Sequence, residues 1–368
     1  MLRTTSASPR RRCGTSANAT TSTKWWTGSP GSAASGSVCD PTRFGQSLDV
    51  RSPAPLWPNP ARSMPQSPPA TYRPPQVPTV DEVAARERAS RLASRSIKTE
   101  AKVEGLKRLI AMLDLTTLEG ADTPGKVKSL CQKARTPDPG SDQDHPSVGA
   151  VCVYPPMVPA AREQVADADI NVASVASYFP SGQAALEERV AEVERVRDAG
   201  ADEIDVVINR NAFLAGEYER VHREISALAD ASGEKHLKVI LETGELETYD
   251  AVRLASRIAM DAGADFIKTS TGKVKPAATM PVTLVMLEAI RDYYRETGRP
   301  VGMKPAGGIR KAKPALRYLV MVREVLGDAW LTPERFRIGA SSLLNDLLLQ
   351  LEKERHGRYH SKRYLSLG

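Results

Sequence analysis

Aromatic residues make up only 5% of the chain, and its four cysteines (Cys13, Cys39, Cys131 and Cys152) are scattered without a CxxC pair. That spacing argues against a disulfide framework or a cysteine-built zinc site and fits a reducing compartment. No stretch approaches the ~18 consecutive apolar residues of a membrane-spanning helix. No glycine fingerprint follows an early strand, which weighs against a dinucleotide-binding open sheet. A charge surplus is also missing from most of the sequence. The net charge is +7, but residues 1–79 hold nine basic residues (Arg3, Arg10, Arg11, Arg12, Lys24, Arg43, Arg51, Arg62, Arg73) and two acids (Asp40, Asp49). That imbalance accounts for the whole excess, so residues 80–368 are neutral and a nucleic-acid-binding domain is disfavoured.

What is present falls into two textures. Residues 1–79 are rich in Ser, Thr, Pro and Gly, as in "TSASPRRRCGTSANATTSTKWW", with no period of 2 or 3.6. Such a segment buries too little apolar surface to offset its ordering entropy and is expected to be disordered. Its composition is compatible with a transit peptide, a weak nucleic-acid or membrane arm, an inert linker, or sequence upstream of a start such as Met64.

From residue 80 to 358 a charged helical lead-in gives way to alternating strand-like and helix-like segments. The strand candidates are "LIAMLDL", "VGAVCVYP", "NVASVASYFP", "EIDVVINR", "LKVILE", "DFIKTST", "PVGMKPAG" and "RFRIGASS". Amphipathic runs such as "YDAVRLASRIAMDAGA" separate them, several ending in glycine. Eight strand–helix units over this length predict an α/β fold, a (β/α)₈ TIM barrel, with residues 359–368 as a short tail. An open doubly wound sheet is the alternative.

In such a barrel the chemistry sits at the carboxyl ends of the strands. Asp114, Asp205, Lys238, Lys268 and Lys304 fall at or near those ends. Lys268 interrupts the apolar run "DFIKTST", and a lysine is rarely buried unless it is paired or chemically active. A protonated amine cannot attack a carbonyl. A second ammonium ~4 Å away, at an effective dielectric of ~20, costs roughly 4 kcal/mol, or about three pKa units. Desolvation adds to this. Lys268 is therefore the expected Schiff-base former, Lys304 its activator and Asp205 the proton shuttle. Lys238 is placed with the binding set, steadying Asp205 and adding positive potential. The late loops "STGK", "GGIR" and "GASS" carry the pattern of a phosphate site made from backbone amides.

In order, "DLTTLEGADT", "CVYPPMV", "GADEIDVVINR", "LKVILETGEL", "GADFIKTSTGK", "KPAGGIR" and "FRIGASSLL" resemble the deoxyribose-phosphate aldolases, across about residues 100–358. The resemblance implies metal-free, cofactor-free cleavage of 2-deoxy-D-ribose 5-phosphate to acetaldehyde and D-glyceraldehyde 3-phosphate. It assigns the Schiff base to Lys268, the relay to Asp205 and the second lysine to Lys304. Phosphate contacts then fall on Gly272, Lys273, Gly307, Gly308, Gly339, Ser341 and Ser342, with Asp114 and Thr116 at the sugar end. Tyr178 is expected to narrow the entrance, Met303 stands where phenylalanine is usual, and Cys152 reads as a core thiol. Tyr359 and Tyr364 are candidates to fold over the mouth. The expected partner is a small phosphorylated sugar in the cytoplasm, with neither nucleic acid nor membrane involved. A homodimer is entertained as the assembly. Another lysine-dependent barrel aldolase and a catalytically silent sugar-phosphate sensor are the rivals. A bisphosphate substrate would call for a second basic cluster that the sequence does not offer, and a sensor would be expected to lose Lys268 or Asp205.

Overall fold

Short apolar runs closed off by Gly, Pro or Asp produce eight parallel strands in the computed structural model. They are β1 (Leu113–Thr116), β2 (Ala150–Val153), β3 (Asn171–Val175), β4 (Glu203–Val207), β5 (His236–Ile240), β6 (Phe266–Lys268), β7 (Gly302–Lys304) and β8 (Ile338–Ala340). The structure describes residues 72–358 except 96, 98, 142 and 143, together with residue 361. From β1 to β7 each strand pairs with the next in sequence, and β1 pairs with β8. Bridges from Met303 to Phe336 and from Ala306 to Gly339 close β7 onto β8. This is the (β/α)₈ barrel that the alternation predicts.

Between and around the strands run α1 (Glu82–Ser94), α2 (Thr99–Ala111), α3 (Pro124–Arg135), α4 (Val158–Val165), α5 (Leu186–Asp198), α6 (Arg210–Leu214), α7 (Tyr218–Ser232), α8 (Tyr249–Asp261), α9 (Met280–Thr297), α10 (Ala312–Leu326) and α11 (Leu343–His356). Their starts follow from local chemistry. Thr123, Thr248 and Thr279 accept hydrogen bonds from the amides of Lys126, Ala251 and Val282, satisfying donors that have no partner in the first turn. Gly298, in the left-handed conformation, ends α9. None of the described helices is long and apolar enough to cross a membrane.

The period-2 alternation of each strand separates two interiors. Leu113, Leu115, Val151, Val153, Val172, Ile204, Val206, Leu237, Val239, Ile267, Met303 and Ile338 join the apolar layer between strands and helices. The opposite face, inside the barrel, is different. β2 and β3 contribute the small residues Ala150, Cys152, Ala173 and Val175, which pack with Leu118. Most of the remaining space is taken by buried charged side chains.

Two boundaries move. The run "LIAMLDL" reads as one strand, but Leu109–Ala111 complete α2 and β1 begins at Leu113. Leu109 and Ile110 are apolar because α2 buries them, and a short apolar run does not reveal its own period. The featureless texture expected through residue 79 also ends early. Tyr72 stacks on His222 with ring centres 3.8 Å apart and donates to Asp261 Oδ2 at 2.8 Å, while the Val80 amide donates to Asp250 Oδ1. Composition hides this because a few side chains suffice to fasten the segment. Tyr359 and Tyr364 lie outside the described residues.

Candidate active site

Parallel register sets the lysines side by side: Lys268 on β6 lies opposite Lys304 on β7, and Asp205 on β4 opposite Lys238 on β5. Lys268 Nζ and Lys304 Nζ both donate to the same oxygen, Asp205 Oδ2, at 2.7 and 2.8 Å. Lys304 also lies 2.5 Å from Asp114 Oδ2. Arg337, which the sequence reading missed, donates to Asp114 Oδ1 at 2.7 Å and to Glu203 Oε1 at 2.9 Å. Glu203, also missed, is ion-paired with Lys238, whose Nζ is 3.5 Å from Asp205 Oδ1. All seven side chains are buried.

This network has a simple charge balance. Three carboxylates, Asp114, Glu203 and Asp205, face four cations, Lys238, Lys268, Lys304 and Arg337. The set is neutral only when one cation gives up its proton. Burial, the largest influence, pushes the Lys268 ammonium below the ordinary lysine value; Asp205 opposes the shift and the charge of Lys304 reinforces it. The sequence argument gave the neighbouring ammonium the leading part. The structure gives it to burial, because Lys268 is enclosed and the shared carboxylate offsets much of the repulsion. Lys304 moves the other way: burial pushes it down, but Asp114 and Asp205 outweigh that and hold it well above the lysine value. Burial would raise Asp205, yet Lys268, Lys304 and Lys238 hold it far below the usual carboxylate range. Two adjacent lysines thus have opposite protonation preferences, the arrangement of an amine nucleophile beside an ammonium acid.

The residues assigned to substrate divide in two. Asp114 and Lys238 belong to the charge network beneath the mouth; Lys238 does not reach the late loops because Glu203 and Asp205 hold it inside the barrel. The Thr116 hydroxyl donates to the Asp114 carbonyl two residues earlier on the same strand. Lys273 reaches across the mouth, its ammonium donating to the Leu118 carbonyl at 2.7 Å. Gly272, Gly307 and Gly308 all have positive φ, and Gly272 and Gly307 touch: a β-carbon on Gly307 would stand 3.2 Å from Gly272 Cα. A β-carbon on Gly339 would come 3.2 Å from Lys304 Cε. Ser341 and Ser342 are exposed, and Ser342 opens α11 with no side-chain cap. The amides of Gly272, Gly307, Gly308, Ser341 and Ser342 have no acceptor among the described residues.

The rim is apolar on the opposite side. Tyr154 and Phe179 meet edge to face at 6.1 Å above the small residues of β2 and β3. Tyr178 is 42% exposed beside them, at φ 60°, with its amide held by Glu192. Burial pushes the Cys152 thiol up to about 11, so it remains a neutral wall residue.

Fold and site together define a (β/α)₈-barrel aldolase, a carbon–carbon lyase. A model of the DeoC/LacD family aldolases matches residues 108–348. The chain is 48% identical over 290 residues to the deoxyribose-phosphate aldolase of Mus musculus, covering 76% of this chain and 91% of that protein. It is also 48% identical over 281 residues to the deoxyribose-phosphate aldolase of Homo sapiens, covering 73% and 87%. The tetrameric structure of a deoxyribose phosphate aldolase from Aeropyrum pernix superposes with a TM-score of 0.52 at 25% identity, covering 71% of this chain and all of that one. The chain belongs to the DeoC/LacD aldolase family.

Proposed function

We propose that the chain cleaves 2-deoxy-D-ribose 5-phosphate reversibly to acetaldehyde and D-glyceraldehyde 3-phosphate through a Schiff base on Lys268. The observation that carries this reading is the single oxygen, Asp205 Oδ2, shared by two lysines with opposite protonation preferences. The neutral Lys268 amine adds to C1 of the open-chain sugar. Lys304, kept cationic by Asp114 and Asp205, supplies the proton with which the carbinolamine hydroxyl leaves as water. Asp205 takes the C3 hydroxyl proton as the C2–C3 bond breaks. Being a weak base, it passes that proton on through Lys304 or a water instead of keeping it. The resulting enamine is protonated at C2, and hydrolysis frees acetaldehyde and the amine.

The uncommitted amides of Gly272, Gly307, Gly308, Ser341 and Ser342 suit the phosphate dianion, and Gly339 gives it room above Lys304. The apolar rim of Tyr154 and Phe179 keeps water from the imine. Reduction with borohydride in the presence of acetaldehyde should leave one two-carbon adduct, located on Lys268 by peptide mass analysis. An adduct on another lysine, or none, would overturn the assignment.

A further inference from the structure

Two residues beyond the end of β5, Glu242 has φ 53°, a left-handed conformation that residues with a β-carbon avoid and that concentrates at functional sites. Its side chain is completely buried. The carboxylate is not spent on the catalytic network. It accepts the Thr271 hydroxyl at 2.5 Å and the Thr271 amide at 3.3 Å. Thr271 Oγ1 in turn accepts the Lys273 amide at 3.1 Å. In the segment Thr271–Gly272–Lys273 the two outer amides are therefore committed to protein, and Gly272 alone keeps a donor without a protein partner.

The surrounding loop works in the same direction. The Thr243 amide donates to the Thr269 carbonyl at 2.9 Å, and Gly244 lies so close to Pro276 that a β-carbon would overlap its carbonyl oxygen. Arg210 tempers the buried charge from 3.5 Å, while bonding Glu245 at 3.1 Å and the Ser181 carbonyl at 2.9 Å. The chain of contacts runs from Glu242 through Thr271 to Gly272, and from there to Gly307 on the next loop.

We propose that Glu242 is a positioning residue for the anion end of the substrate: it shapes the loop after β6 so that the Gly272 and Gly307 amides meet a phosphate, and it thereby sets the preference for phosphorylated over unphosphorylated deoxysugars. The proposal rests on the phosphate-site reading above. Glu242 touches no reacting atom, so its removal acts on recognition more than on turnover.

The test compares the full chain with Glu242→Ala and Glu242→Gln, using 2-deoxyribose 5-phosphate and 2-deoxyribose as paired substrates. Glu242→Ala should lower kcat/KM for the phosphorylated sugar at least about tenfold more than for the free sugar, with the difference carried by KM. Inhibition by inorganic phosphate should weaken in parallel. Glu242→Gln, which keeps an acceptor for the Thr271 amide, should recover most of the preference. Equal losses on both sugars, or an unchanged phosphate inhibition constant in Glu242→Ala, would overturn the proposal. If the unaltered chain gave no acetaldehyde from the phosphorylated sugar, the functional reading would fail first, and that result is separate from any effect of the substitutions.

Discussion

At the scale of single residues, Lys304 is reached by two carboxylates and Lys268 by one, although both are buried. That difference decides which amine keeps its proton. Replacing Lys304 with methionine leaves Lys268 alone with Asp205, which favours the charged form. Attack needs the neutral form, so a raised pKa moves the rising limb of the kcat/KM–pH profile to higher pH. A displacement to higher pH is expected, along with lower activity. A profile lowered but unmoved would show that Lys304 acts only as an acid. Lys268, Asp205 and Lys304 are legible in the sequence because each interrupts an apolar strand. Glu203 and Arg337 escape notice because "GADEIDVV" and "RFRIG" put them at strand starts, where a charge ordinarily meets solvent. Glu242 leaves no local signal, since its role depends on a loop 29 residues away.

Among the secondary-structure elements, β6 and β7 carry the proposed catalytic pair on a two-residue alternation. Phe266 and Lys268 share one face of β6, and their partners Gly302 and Lys304 share one face of β7. The missing side chain at Gly302 is filled by the Phe266 ring, which a β-carbon there would overlap. The ring also lies under Lys238, whose Nζ is 5.6 Å from its centre. Gly302→Ala should therefore destabilise the barrel by about 1–3 kcal/mol through overpacking. Calorimetry would read this as a fall in Tm of several degrees. An unchanged Tm would mean that β7 shifts freely, which the shared contacts of Lys304 argue against. The order and number of strands were readable because apolar runs alternate with amphipathic ones. The exact start of β1 was not, because α2 ends in the same kind of residue that the strand begins with.

Across the whole molecule, the barrel is bound by a segment that precedes it. α1 buries Ala85, Ala89 and Leu92 and pairs Arg88 with Glu288 on α9, while Arg95, just past its end, pairs with Glu324 on α10. Ahead of it, Tyr72 and Val80 fasten residues 72–80 to α7 and α8. A chain starting at residue 72 is expected to keep the activity of the full chain, because every site residue lies within 114–342. A chain starting at residue 82 loses these anchors and should melt several degrees lower at similar initial kcat. Equal melting of the two truncated chains would show that the strap contributes nothing. The alternating ions inside the barrel also constrain how this sequence is free to vary. Each carboxylate of that lattice meets two or more cations, so losing one strands buried positive charge and obliges the matching loss of a cation across the ring.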